Sequence, residues 1–276
     1  MRIVEGTEIV EGLKNLFIKL NYEPPSLEGI SFSEHSMDSD ELKLAKILDK
    51  NMEIAKLERR PLCQDCGVAQ VFVKIGKFTT YSGASTLKHL IEKGVEQAYE
   101  IGLLRKSTVR DPFERVNEGK NLPAFIHIEE TSGDLLEIWG MVKGGGSENV
   151  SSLKMLSPVE GREGVADFVL ETLRNAAGKG CPPYFVGLAV GGTFDTVPTY
   201  SKMAILEKSD EDTQLKELIL KKVKGLDYGV LGFPGISAVK ELYIKKIPTH
   251  IAMMPAAVSL NCHSLRCGKI EFRSNP

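Results

Sequence analysis

Five cysteines stand at positions 63, 66, 181, 262 and 267. Three of them share a local setting: Cys63 in Pro61-Leu62-Cys63-Gln64-Asp65, Cys181 in Gly180-Cys181-Pro182-Pro183, and Cys262 in Leu260-Asn261-Cys262-His263. Each setting is a short irregular segment that can aim a sulfur atom. Structural cysteines usually sit inside apolar periodic runs as small hydrophobes. The first two of the three lie 118 positions apart and the last two 81, far too distant for a zinc finger or ribbon. Cys63-x-x-Cys66 alone suits zinc or a thioredoxin-type pair, but no second close pair accompanies it. An odd number of cysteines is also a poor disulfide framework. Three remote thiolates meeting at one point would suit a cubane iron–sulfur cluster with one iron lacking a protein thiolate, left open as a Lewis acid. Spacing alone fits dispersed buried cysteines as well, so both readings stand at this point.

Other residues could work beside such a centre. Lys143-Gly144-Gly145-Gly146-Ser147 follows an apolar run, and glycines let backbone N–H groups approach an anion closely. The segment lacks the Gly-Lys-Ser/Thr ending of a Walker A loop and could be a plain turn. Arg105, in Leu104-Arg105-Lys106-Ser107, offers a guanidinium suited to a carboxylate. Asp65 could carry a proton or cap its loop. His250 follows Pro248 by two residues and could be catalytic or merely a surface histidine.

The elements that must position these residues follow from periodicity. Thr7–Leu20 and Ser39–Leu57 carry apolar residues at helical spacing. Val68–Ile75 reads as a strand, and a helix is expected from about Ser85 to Leu104. Ala124–Ile128 and Leu135–Val142 flank a turn at Ser132–Asp134 and predict a hairpin. A helix near Val165–Asn175 closes at Gly178. Tyr184–Val190 and Val239–Ile247 read as strands, with a helix over Glu211–Val223 and a broken loop over Gly225–Gly235 between them. These elements do not alternate as βαβ units, which favours an α+β fold, helices packed around mixed and antiparallel sheets. Residues 1–276 read as a single region with room for two subdomains.

Composition narrows the functions available. The chain of 276 residues carries 35 Lys+Arg against 37 Asp+Glu, a formal charge of −2. Without a basic block it does not read as a nucleic-acid binder that works by field strength. The least charged stretches, Gly180–Phe194 and Ile247–Leu265, contain Pro, Gly and polar residues and do not read as membrane spans. The opening MRIVEGTEIVEG has no apolar core, so no secretory signal is expected, and the localisation expected is cytoplasmic.

Several short motifs occur in a specific order: Cys63-Gln64-Asp65, Leu104-Arg105-Lys106-Ser107, Asn121-Leu122-Pro123-Ala124, Lys143-Gly144-Gly145-Gly146-Ser147, Cys181-Pro182-Pro183, Gly191-Gly192-Thr193, Thr249-His250-Ile251-Ala252 and Asn261-Cys262-His263-Ser264. From about residue 40 onward the chain resembles the class I iron–sulfur fumarase and L-tartrate dehydratase family, specifically its alpha subunit or N-terminal domain. The resemblance implies a 4Fe-4S cluster held by Cys63, Cys181 and Cys262. It implies dicarboxylate contacts from Gln64, Asp65, Arg105 and the glycines Gly144, Gly145 and above all Gly146, with Asp65 and His250 in catalytic roles. The rest of the site would belong to a beta subunit, without which this chain would be inactive. The expected reaction is reversible hydration of fumarate to (S)-malate, preferred as the more general metabolic task. The alternative is L-tartrate dehydration, and a non-catalytic structural subunit is the reading of another class. Two positions depart from the family pattern: Cys66 replaces a usual Thr and Cys267 a usual Arg, and either could be an alternative thiolate.

Overall fold

The apolar spacing noted above becomes secondary structure in the computed structural model, which describes residues 3–34, 37–83 and 85–273. In chain order the elements are β1 (Ile3–Val4), α1 (Gly6–Tyr22), α2 (Ser39–Glu58), β2 (Val68–Gly76), β3 (Thr80–Tyr81), α3 (Leu87–Ile101), β4 (Phe125–Thr131), β5 (Leu136–Lys143), α4 (Gly145–Asn149) and β6 (Ser152–Leu156). They continue as α5 (Gly161–Ala176), β7 (Tyr184–Gly191), α6 (Val197–Leu206), α7 (Thr213–Val223), β8 (Val239–Ile247), β9 (Met254–Asn261) and β10 (Arg266–Phe272). The fold is α+β with mixed sheets, as the sequence pattern indicates. The chain divides into two compact units. The first holds the residues up to 29, 52–145 and those from 265 onward; the second holds 30–51 and 146–264.

The first unit is built on a four-stranded sheet of order β10-β5-β2-β4. α1 lies against β5 and β10, where Gly140 and Gly268 leave room for Leu16 and Leu20; a Cβ on Gly140 would come within 3.0 Å of Leu16. α3 packs on α1 through Gly94, whose added Cβ would sit 2.7 Å from that of Leu13. Ile9, Leu13, Phe17, Ile91, Val95 and Ile138 belong to the resulting core. Thr86 caps α3, its hydroxyl oxygen accepting the His89 N–H at 3.2 Å.

The hairpin expected from Ala124–Ile128 and Leu135–Val142 does not form. Both strands exist, but β2 lies between them: Val71 pairs with Ile126 in a parallel ladder and with Gly140 in an antiparallel one. The intervening turn spans the end of β2, with the Gly76 N–H donating to the Leu135 carbonyl at 2.8 Å. β2 is the more apolar run and gains a neighbour on each side, whereas β4, largely exposed, takes the sheet edge.

In the second unit the sheet order is β6-β9-β7-β8, with β7 parallel to β8 and antiparallel to β9. α5 and α7 pack together over one core, which includes Phe168, Leu173, Leu188, Ile219 and Val258. α6 lies against β7 and β9. Gly187 of β7 permits that approach, since a Cβ there would lie 2.0 Å from the Ser201 carbonyl oxygen. α7 begins two residues later than its periodicity suggests because Asp212 caps it, accepting the Leu215 N–H at 3.0 Å. No helix among the described residues is long and apolar enough to cross a membrane.

Candidate active site

Within the first unit, the segment between α2 and β2 carries Cys63, Gln64 and Asp65 and is held at both ends. The Leu62 N–H donates to the Asn21 carbonyl at 2.7 Å. At the far end Gly67 takes φ +58°, and a Cβ there would lie 2.6 Å from the Lys143 carbonyl oxygen, so only glycine suits the turn. Asp65 organises the middle. Its Oδ1 accepts the Gly67 N–H at 2.9 Å and its Oδ2 accepts the Gly145 N–H at 2.8 Å. Gly144 is buried against the same carboxylate, and an added Cβ would lie 3.0 Å from Oδ2.

Arg105 reaches this corner from the loop after α3. Its Nη1 donates to the Gln64 Oε1 at 2.5 Å, and both side chains are exposed. The backbone of that loop is fixed from below. The Arg105 N–H donates to the Cys66 Sγ at 3.2 Å, and the Asn121 Oδ1 accepts the N–H groups of Ser107 and Thr108 at 2.7 and 3.0 Å. Asn121 also donates to the Gly67 carbonyl at 3.1 Å, linking the two loops. The buried Tyr99 hydroxyl donates to the Cys66 carbonyl at 2.5 Å, and burial pushes its pKa well up. The first unit therefore brings together Gln64, Asp65, Arg105, Gly144 and Gly145. A guanidinium and an amide of this kind can orient a carboxylate-bearing molecule.

Cys66 is not a candidate ligand. It is 1% exposed, its sulfur takes the Arg105 N–H, and burial pushes its thiol up despite that bond. Cys267 is likewise buried, on β10, with its N–H donating to the Ser26 hydroxyl. Both read as core residues, whatever their departure from the family pattern.

The second unit carries Cys181, Cys262, Gly146 and His250. The segments of Cys181 and Cys262 adjoin, with the His263 N–H donating to the Cys181 carbonyl at 3.1 Å. The Cys262 Sγ lies 3.1 Å from the Ser264 Oγ. Gly146 is exposed, and a Cβ there would lie 3.8 Å from the Lys179 carbonyl oxygen. Both cysteine segments occupy the end of the sheet where β7 begins and β9 finishes. His250 occupies the opposite end, after β8 and before β9, and its exposed Nδ1 accepts the Ala252 N–H at 3.2 Å. β7 has eight residues, which at about 3.3 Å each separates those ends by about 25 Å. Within this unit His250 is therefore not beside Cys181 and Cys262.

The chemistry of the donor set can be weighed on accessibility. None of the five cysteines is disulfide-bonded; Cys181 is exposed, Cys63 and Cys262 are half-buried, and Cys66 and Cys267 are buried. The three accessible sulfurs are those of the loop motifs, and the two inaccessible ones are not. Among the described residues no group of three or more His, Cys, Asp or Glu stands in an arrangement that could hold a metal ion.

Comparison with known proteins bears on this arrangement. The model of the family described as fumarate hydratase (Fumerase) matches residues 24–271. The chain belongs to that family. A protein of Methanocaldococcus jannaschii named "Putative L(+)-tartrate dehydratase subunit alpha" is 37% identical over 255 residues, covering 87% of this chain and 89% of that protein. The L(+)-tartrate dehydratase subunit alpha of Escherichia coli strain UTI89 is 32% identical over 82% of this chain and 77% of its own length. That of Shigella boydii serotype 4 is 32% identical over 80% and 75%. Membership makes this a hydro-lyase chain of the alpha-subunit type. The relatives' names say tartrate, where the sequence reading expects fumarate.

The sequence reading overlooked Arg266 and the brace formed by Asn121. Arg266 stood next to the departure at Cys267, and Asn121 within a recognised motif, but nothing local to either showed what its side chain holds.

Proposed function

We propose that this chain is the alpha subunit of a two-chain L(+)-tartrate dehydratase, with fumarate hydratase as the second reading. One observation carries the choice of substrate: relatives aligned over four-fifths or more of the chain bear the tartrate name. The corner of Gln64, Asp65, Arg105, Gly144 and Gly145 supports a dicarboxylate as ligand. A beta subunit would supply the remaining contacts, in keeping with the alpha designation of those relatives. The odd cysteine count supports a cytoplasmic enzyme.

Dehydration of tartrate removes a hydroxyl group from one carbon and a proton from its neighbour, giving an enol that relaxes to a 2-oxo dicarboxylate. Hydroxide is a poor leaving group, and a proton beside a carboxylate is only weakly acidic. Arg105 and Gln64 would hold one substrate carboxylate and fix its orientation. The N–H of the exposed Gly146 would hold negative charge that grows as the proton departs, with Gly144 and Gly145 shaping the segment. Asp65, protonated, would pass its proton to the departing oxygen so that water leaves, while a base of the beta subunit would take the carbon-bound proton. The two Asp65 oxygens each accept one backbone N–H and each retain a further lone pair. A 4Fe-4S cluster, held by Cys63, Cys181 and Cys262, would supply Lewis acidity at the hydroxyl. The proposed role of His250 requires that it serve a site other than the one beside its own Cys181 and Cys262.

The test is direct. The chain is produced anaerobically with its beta partner and assayed on L-tartrate, malate and fumarate. The proposal expects kcat/KM for L-tartrate to exceed that for malate at least tenfold. The reverse order would give the second reading its place.

A further inference from the structure

Arg266 is a charged side chain that the chemistry above does not use. It lies on β10, 1% exposed, and makes no ion pair among the described residues. Its Nη1 donates to the Asp65 carbonyl at 2.8 Å and to the buried Asn21 Oδ1 at 3.1 Å, while its buried Nε has no partner. Asn21 in turn accepts the Leu62 N–H through its own carbonyl. Arg266 and Asn21 thus grip the loop of Cys63, Gln64 and Asp65 at two points. The second guanidinium nitrogen faces the glycine segment: a Cβ on Gly144 would lie 3.6 Å from Nη2 and 3.0 Å from the Asp65 Oδ2. A guanidinium buried without a carboxylate partner is costly. One apolar side chain would fill the same space without that penalty.

We propose that Arg266 is a positioning residue: its buried positive charge and its hold on Asp65 set the Asp65 carboxylate and the Gly144–Gly145 backbone in the register that dicarboxylate turnover needs. This rests on the function proposed above, although the loop geometry can be tested without it. Only one guanidinium nitrogen makes both hydrogen bonds, so the role does not depend on bidentate geometry. An ammonium group, with three donors and the same charge, can replace much of it.

The variants are Arg266→Lys and Arg266→Met, each made in the two-chain enzyme and in the full alpha chain. In the enzyme, R266M should lose at least tenfold in kcat with KM within threefold, and R266K should recover most of the loss. In the alpha chain alone, hydrogen exchange at the Leu62, Gly67 and Gly145 amides should quicken at least tenfold in R266M and much less in R266K. Amides of α5 and β7 should be unchanged in both. Equal impairment of the two variants, or wild-type kinetics with unchanged exchange in R266M, would overturn the proposal. So would a loss of protection spread over the whole chain in R266K, because that marks a general packing role. If R266M does not fold, the kinetics and exchange of R266K decide between the same outcomes. Inactivity of the wild-type enzyme on all three dicarboxylates would instead count against the proposed function and leave the exchange result to judge Arg266.

Discussion

The Asp65 carboxylate accepts the backbone N–H of Gly145 at 2.8 Å, across 80 positions of sequence. With Gly144 pressed against the same oxygen, this bond makes the cysteine loop and the glycine segment one structural piece within their unit. The piece is polar and partly open to solvent, and it presents a carboxylate and, through Gln64, the Arg105 guanidinium.

Gly144 is therefore expected to tolerate no side chain. In Gly144→Ala the new methyl group would press on the Asp65 Oδ2. The expected outcome is a loss of at least tenfold in turnover of the complete enzyme. The accompanying fall in stability should be about 1–3 kcal/mol, the usual range for overpacking. Steady-state kinetics and urea denaturation measure the two effects.

Burial separates the cysteines by reactivity. The thiolate is the reactive form, and burial pushes the Cys66 thiol up, so little thiolate exists there near pH 8. In the cluster-free chain, iodoacetamide should label Cys181 first, then Cys63 and Cys262. Cys66 and Cys267 should lag at least tenfold. Mass spectrometry over a time course gives the order, and rapid labelling of Cys66 would contradict the packing described.

Asp212 supplies a pH dependence. The Arg162 guanidinium, followed in effect by the Leu215 N–H, holds its carboxyl down at about 2, against the ordinary value of 3.8. A folded-state value below the unfolded one stabilises the chain above the unfolded value, and the benefit is lost as pH falls from about 4 toward 2. Asp212→Asn keeps a cap but removes the charge. It should destabilise the chain by about 1–2 kcal/mol at pH 7, the half-exposed arginine making the pair weaker than a buried one. The difference from wild type should vanish near pH 2. Denaturant titrations across that range check the sign.

Much of this was legible in the sequence, for reasons that differ by element. α1 and β7 are long, strongly patterned runs whose burial follows from periodicity alone. The loop motifs around Cys63, Arg105 and Gly144 were legible as chemistry through their order along the chain, since a glycine segment alone also reads as a plain turn and a lone arginine as a solvated one. The pairing of β4 with β2 was not, because strand neighbours are chosen by burial of a third strand that a local turn signal does not register. β9 was hidden by Pro255 near its start and α6 by Pro198 in its first turn, positions where proline is tolerated. The distance of His250 from Cys181 and Cys262 is a matter of strand direction, which motif order does not encode.

The most direct test of the account is the iron and acid-labile sulfide content of anaerobically reconstituted chains in which each cysteine is changed to serine singly. Wild type, C66S and C267S should bind about four of each per chain, the composition of a cubane cluster. C63S, C181S and C262S should each fall to less than half of that while keeping the circular dichroism of the folded chain. Full iron and sulfide in any of those three, or complete loss in C66S with the fold retained, would contradict the ligand set on which the proposed chemistry rests.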